Sequence, residues 1–354
     1  MRNGDNGGYR ILIIIAVFVF LLESQSSQAS ELTFNDITFT SAHRGFCVGD
    51  SGVVYGTFDG GHTWSRIKLS IHGDCTRVKF SDPQHGWILV SNVNLNTHSN
   101  ALLRTVDGGD AWSGVRLDSL PCDCRSTSGA YILFDIFPFD ADTIFVTTLT
   151  NILVKSYDAG KTWAEIDSLP SGNGTVRGVS GVHFATSSRG FAYEGFWSDW
   201  DLGWGALYST FNGDRQWIKL FDALIARASI PTQGGTSWFL TTSIQVVKQG
   251  VMLVADCGDS SVLKWAAPFS KDRNSSNAAD LYALNDSTCW VVGTSVWKSD
   301  DCGESWQALC QLDYRSYPRK IRFNSVNRGF IIGSRSTFLQ TSDGGRSWHP
   351  VKLK

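Results

Sequence analysis

The chain has 354 residues, with 31 Lys and Arg against 33 Asp and Glu and a formal net charge of -2. Arg2, Arg10, Asp5 and Glu23 cancel inside the first 29 residues, so the remainder keeps that charge. A nearly neutral chain lacks the basic footprint of a nucleic-acid binder, and nucleic acid is excluded as a partner.

In chain order the first element is a twelve-residue apolar run from Ile11 to Leu22, preceded by Arg2 and Arg10 and followed by ESQSSQAS with small residues at Ser27 and Ala29. This pattern predicts a secretory signal peptide over residues 1–29 with cleavage near Ala29 or Ser30. The run is short for a membrane span, and the absence of a Cys after the cleavage region argues against a lipid anchor; an uncleaved anchor is the alternative. The protein is therefore expected to be exported, to the periplasm or the extracellular medium.

Five copies of one eight-residue turn follow: TFDGGHTW (Thr57 to Trp64), TVDGGDAW (Thr105 to Trp112), SYDAGKTW (Ser156 to Trp163), SDDCGESW (Ser299 to Trp306) and TSDGGRSW (Thr341 to Trp348). A sixth, TFNGDRQW (Thr210 to Trp217), keeps the frame with Asn212 in place of Asp. Successive closing tryptophans are spaced by 48, 51, 54, 89 and 42 residues. The long step is two periods, so a unit without its turn lies between Trp217 and Trp306, and the units number seven.

Upstream of each turn, short β-branched and aromatic runs alternate with Gly, Asn, Ser and Asp clusters, as in Ile37 to Trp64 and Ile321 to Trp348. Each unit reads as a four-stranded antiparallel sheet that must stack radially to cover its faces. The expected fold is all-β, a single seven-bladed β-propeller over residues 30–354. Its blades fall approximately at 32–70, 76–118, 130–169, 178–222, 236–272, 279–312 and 319–354. The fifth is degenerate and visible only as Trp238 to Leu240, Val251 to Ala255 and Val262 to Trp265.

Within the turn the side chains of Asp59, Asp107, Asp158, Asn212, Asp301 and Asp343 accept hydrogen bonds from nearby backbone N–H groups and from the flanking hydroxyl. Gly61, Gly109, Gly160, Gly303 and Gly345 supply a positive φ. Trp64, Trp112, Trp163, Trp217, Trp306 and Trp348 fill the gaps between blades. The recurring carboxylates are structural, since equivalent residues sit a blade's width apart and cannot share one bond.

The eight cysteines, Cys47, Cys75, Cys122, Cys124, Cys257, Cys289, Cys302 and Cys310, all lie in the exported part, where an even count favours disulfides. Cys302 with Cys310 is the best local pairing. Cys122 and Cys124 are too close to staple a fold, and no second pair or His stands at ligand spacing, so neither metal nor cofactor is expected.

The turn is similar to the Asp-box, or BNR repeat, of sialidases and related propellers. More narrowly, GFCVGDSGVVYGTFDGGHTW (Gly45 to Trp64) and its counterpart in the seventh unit resemble the repeat of the photosystem II stability and assembly factor family. That resemblance implies a non-enzymatic chaperone that binds protein partners, including membrane subunits, during assembly. It also implies an arginine-rich binding surface, and a thylakoid lumen as the compartment of a photosynthetic host. Here the matching residue type is Arg44, Arg189 and Arg328, each in an Arg-Gly turn on the box face, with His85 in their place in the second unit and Arg77, Lys79, Lys320 and Arg322 on neighbouring inner strands. They are read either as solvated turn residues or as a patch for carboxylates of a partner.

The opposite face carries FWSDWDLGWG (Phe196 to Gly205), where Trp197, Trp200 and Trp204 with Asp199 and Asp201 would make a stacking platform for a sugar or peptide, or else blade packing. Residues 93–101 would wall a groove beside it. This loop carries the alternative function, a glycan-binding or glycoside-hydrolase propeller, with Asp199 or Asp201 acting alongside Glu194. A sialidase start of Arg-Ile-Pro is absent, and Tyr317-Pro318-Arg319 is only a distant echo of it. A monomeric, non-enzymatic scaffold is the preferred expectation.

Overall fold

The computed structural model describes residues 31–94, 99–120, 133–148, 153–166, 179–186, 188–194, 205–213, 216–222, 224–229, 236–243, 248–256, 261–266 and 278–354. The expected signal peptide, Cys122, Cys124, Cys257 and the loop from Phe196 to Trp204 lie outside them.

The strands pair into four-stranded antiparallel sheets spanning residues 34–66, 74–115, 133–166, 179–222, 224–266, 280–311 and 317–350, seven among the described residues, each with its strands in chain order. The innermost strands are β1 (Phe34–Phe39), β5 (Asp74–Phe80), β9 (Leu133–Pro138), β13 (Val179–Phe184), β17 (Leu224–Ser229), β21 (Asp280–Ala283) and β25 (Tyr317–Phe323). β1 lies beside both β5 and β25, β9 beside β5 and β13, and β21 beside β17 and β25; β17 meets the fourth sheet through its second and third strands. The fold is a β-propeller of four-stranded blades.

Middle strands read as continuous apolar runs because a neighbouring blade covers each of their faces. β2 (Gly45–Gly49) and β3 (Val53–Thr57) are buried at every position. The outermost strand β4 (Ser65–Arg66) is exposed at both of its residues. A short polar edge of this kind gives another chain little to pair with.

The first and last sheets are joined by hydrogen bonds. Ser336 N–H donates to the Leu32 carbonyl at 2.7 Å, and Leu32 N–H donates to Ser336 Oγ at 3.0 Å. Trp64 forms a parallel bridge with Leu353, and Lys354 N–H donates to the Trp64 carbonyl at 3.0 Å.

Two expectations are corrected. The fifth sheet starts at Leu224, not at 236: β17 pairs with the strand Thr236–Ser243 and completes four strands. Its LIARAS sequence carries no Gly-aromatic or box signal, and pairing with a long neighbour defines it. Cys302 and Cys310 are free thiols, as are the buried Cys47, Cys75 and Cys289. Cys302 occupies the tip of a box turn with φ 59°, whereas Cys310 pairs with Val296 at the other end of that hairpin. Burial pushes the Cys75 thiol up to about 12, with Asp74 and Asp50 adding to the effect.

Candidate partner-binding face

Each box turn is built by the same bonds. In the first, Thr57 Oγ1 donates to Asp59 Oδ1 at 2.8 Å and accepts from Gly61 N–H at 2.8 Å. Thr63 then donates its N–H to Asp59 Oδ1 at 2.9 Å and its hydroxyl to Oδ2 at 2.7 Å. The turns at Asp158, Asp301 and Asp343 repeat the set. At Asp107 the Ala111 N–H keeps the backbone bond to Oδ1 and the Asp110 N–H adds a second, while residue 111 has no hydroxyl for Oδ2; Asn212 keeps the donors to one oxygen only. These bonds, led by the Thr162 and Ser305 hydroxyls, hold the Asp158 and Asp301 carboxyls down to about 2. Such carboxylates are spent on structure and cannot pick up a proton at neutral pH.

The box also fixes which face it lies on. Gly60 N–H donates to the His43 carbonyl, Gly108 to Gln84, Ala159 to Asp142, Gly213 to Ser188, Cys302 to Ser287 and Gly344 to Asn327. In each of these six blades the box is thereby tied to the first hairpin turn, the turn that carries Arg44, Arg189 and Arg328 in the first, fourth and seventh.

Those three arginines spread over separate blades as ledges and struts. The Arg44 guanidinium lies 4.4 Å from the Phe58 ring centre and bonds Asp110 of the next box at 2.7 Å. Arg328 lies 6.0 Å from the Phe330 ring centre and donates to His62 Nε2 at 2.7 Å, while His62 Nδ1 faces the Asp59 carbonyl at 2.6 Å. Burial lowers the Arg328 pKa, with Asp59 opposing. Arg189 lies 5.4 Å from the Phe211 ring centre. In the second blade His85 contacts Asp82 at 2.9 Å, and Arg104 supplies the strut, donating to the Ala141 carbonyl at 2.9 Å.

Arg77 and Arg322 belong to a different place, the axis of the ring. A register shift in β1, β5 and β25 falls just before Asp36, Arg77 and Lys320, and such a bulge re-aims the side chains that follow it. Arg77 Nε bonds Asp135 at 3.0 Å, Lys79 lies 3.6 Å from Asp36, and Arg322 bonds Asp280 at 2.6 Å with Lys320 at 3.9 Å. Burial opposes ionisation of Asp36, yet Lys79, Lys320, Arg322 and Arg77 together hold its carboxyl well below the usual range. His183 stacks on Tyr193 in the same cluster, and burial is the main cause that pushes its imidazole down to about 4.

Sequence reasoning missed two features. Asp36, Asp135 and Asp280 are the carboxylates of the axis; their signal was an Asp near the start of NDITF, FDIFPF and DLYAL. The second box residue is exposed, with Phe58 at 62 %, Val106 at 57 % and Tyr157 at 63 %. Lys155 stands 4.1 Å from the Tyr157 ring centre. In the boxes of the sixth and seventh blades that position is Asp300 and Ser342, so the apolar arc covers one side of the face. Trp197, Asp199, Trp200, Asp201 and Trp204 lie outside the described residues.

The sequence model of the family described as photosynthesis system II assembly factor YCF48 matches residues 62–229. A photosystem II assembly protein Ycf48 from Synechococcus sp. (strain JA-2-3B'a(2-13)) is 26 % identical over 94 % of this chain and 95 % of its own length. The chain is thus similar to the photosystem II assembly factors, along nearly its whole length. Among solved structures, YCF48 bound to D1 peptide superposes on this assembly factor-like chain with a TM-score of 0.60 at 21 % identity, covering 88 % of this chain and 92 % of that one. YCF48 from Cyanidioschyzon merolae does so with 0.63 at 18 %, covering 88 % and 96 %. A GH74 enzyme from Niastella koreensis matches with 0.65 at 14 % identity, covering 89 % of this chain and 55 % of that one, and shares the fold.

Proposed function

We propose that this assembly factor-like chain is an exported, non-enzymatic, monomeric seven-bladed scaffold whose box face holds a protein subunit of a membrane complex during its assembly. The observation that carries the reading is the match to Ycf48 assembly proteins along nearly the whole of both chains. Two further facts support it: a YCF48 has been solved bound to a D1 peptide, and relatives from Synechococcus sp. (strain CC9902) and Picosynechococcus are named lipoproteins, which fits export. In a photosynthetic host the compartment would be the thylakoid lumen.

The box face suits the task. Phe58, Val106 and Tyr157 offer apolar area, while Arg44 and Lys155 lie against the aromatic rings and give cation–aromatic ledges. Arg189 and Arg328 would extend that surface, and Arg77 and Arg322 would reach it only at the axis. The glycoside-hydrolase alternative has the fold likeness alone behind it.

The test is affinity capture from detergent-solubilised host membranes with wild type and with Phe58→Ser plus Tyr157→Ser. These exposed positions leave the Arg44–Asp110 and Arg328–His62 seams intact. Wild type is expected to enrich a photosystem II subunit that the variant loses. Equal enrichment by both moves the site off this face, and turnover of a glycan with a saturable rate overturns the scaffold reading.

A further inference from the structure

At the box-face end of the axis, the ends of β1, β21 and β25 part around a cleft of about 320 Å³, at the lower end of the range for small-ligand sites. Thr38, Tyr282, Arg322, Phe323 and Asn324 are among the residues of its wall. The Arg322 guanidinium is held from behind, with Nη1 donating to Asp280 Oδ2 and to the Ile321 carbonyl, both at 2.6 Å, 5.8 Å from the Tyr282 ring centre. Among the described residues no hydrogen bond takes up its Nε or Nη2, nor the hydroxyls of Tyr282 and Thr38. Asn324 Nδ2 donates to the Ala42 and Gly60 carbonyls, which fixes the amide, and its Oδ1 is buried without a partner.

The cleft thus offers a positioned guanidinium edge, a phenol and a hydroxyl as donors. The axial cluster behind it sets four cations, Arg77, Lys79, Lys320 and Arg322, against three carboxylates, Asp36, Asp135 and Asp280, among the described residues. A planar carboxylate matches a guanidinium edge, and the phenol and hydroxyl beside it donate to its second oxygen. We propose that this cleft binds the carboxylate of a peptide segment of the partner, either a chain terminus or an Asp or Glu side chain, with Arg322 and Tyr282 as the reading residues. This rests on the scaffold reading and adds a defined subsite to it.

Immobilised protein would be offered a pooled library of acetyl-capped hexapeptides made twice, with the terminal carboxylate and as the carboxamide. The carboxylate pool is expected to be retained about tenfold over the carboxamide pool. Tyr282→Phe should cut that retention about threefold and Arg322→Gln about tenfold. Retention of amidated peptides that contain Asp or Glu, lost in Arg322→Gln, supports the cleft and assigns the carboxylate to a side chain. Equal retention of amidated peptides with and without acids, or retention unchanged in both variants, overturns the proposal. Should Arg322→Gln fail to fold, as read by near-ultraviolet circular dichroism, Tyr282→Phe and Thr38→Val carry the test. Continued capture of the membrane subunit by the variants would remove the cleft and leave the scaffold, whereas no capture by wild type removes the scaffold itself.

Discussion

Gly61 meets two demands at once. Its φ is +88°, and a Cβ there would stand 2.2 Å from Phe330 of the neighbouring blade. The left-handed backbone costs a non-Gly residue about 1 to 2 kcal/mol, and overpacking adds about 1 to 3. Gly61→Ala should therefore lose at least about 2 kcal/mol in denaturant unfolding. Gly114, with nothing within 4 Å of its Cβ position, should accept Ala within about 0.5 kcal/mol. Asp158 makes a pH prediction at the same scale. Its carboxyl drops from 3.8 to about 2 on folding, so the stabilisation is complete above about pH 4 and is lost as pH falls through about 2. In Asp158→Asn, which keeps one oxygen as Asn212 does, the fall in melting temperature between those values should be shallower; an unchanged slope would show that Asp158 does not contribute to it.

Between elements, the box tryptophan is the wedge. Trp64 is fully buried and meets Phe39 of its own blade and Phe330 and Phe338 of the last, with ring centres 5.1 to 6.0 Å away. Trp64→Ala is expected to cost about 3 to 5 kcal/mol by chemical denaturation. Asp36 plays the corresponding part at the axis, accepting from Ile37 N–H and from Val78 N–H of the next inner strand and facing Lys79. Asp36→Ala strands both the N–H groups and the ammonium, and a loss of about 3 to 5 kcal/mol is expected. A neutral result in the same unfolding experiment would mean that water substitutes for the carboxylate.

For the whole molecule, closing the ring matters more than any one blade, since an open ring would expose the faces of its first and last sheets. Residues 351–354 contribute Val351 N–H to the Phe338 carbonyl, Lys354 N–H to the Trp64 carbonyl, and the Trp64–Leu353 bridge. Removing them should lower stability by about 2 to 4 kcal/mol. It should also speed proteolysis in the first and last sheets ahead of the others. Cleavage spread evenly over the chain would argue that the seam does not limit opening.

Box spacing and the apolar runs between turns determined, without coordinates, that the chain is a repeated four-stranded β architecture, because positive-φ glycines and self-satisfying Asp turns are local chemistry written into consecutive residues. That Phe58 and Tyr157 stand exposed beside Arg44 and Lys155, that Arg322 and Asp280 meet at the axis, and that Cys302 and Cys310 stay apart were decided by tertiary structure. Those relations join residues of different strands or blades, and they depend on register, bulges and ring closure. The LIARAS strand shows the same limit from the other side. Its sequence carries no signal of its own, and only pairing with the strand beside it makes it the inner strand of a blade.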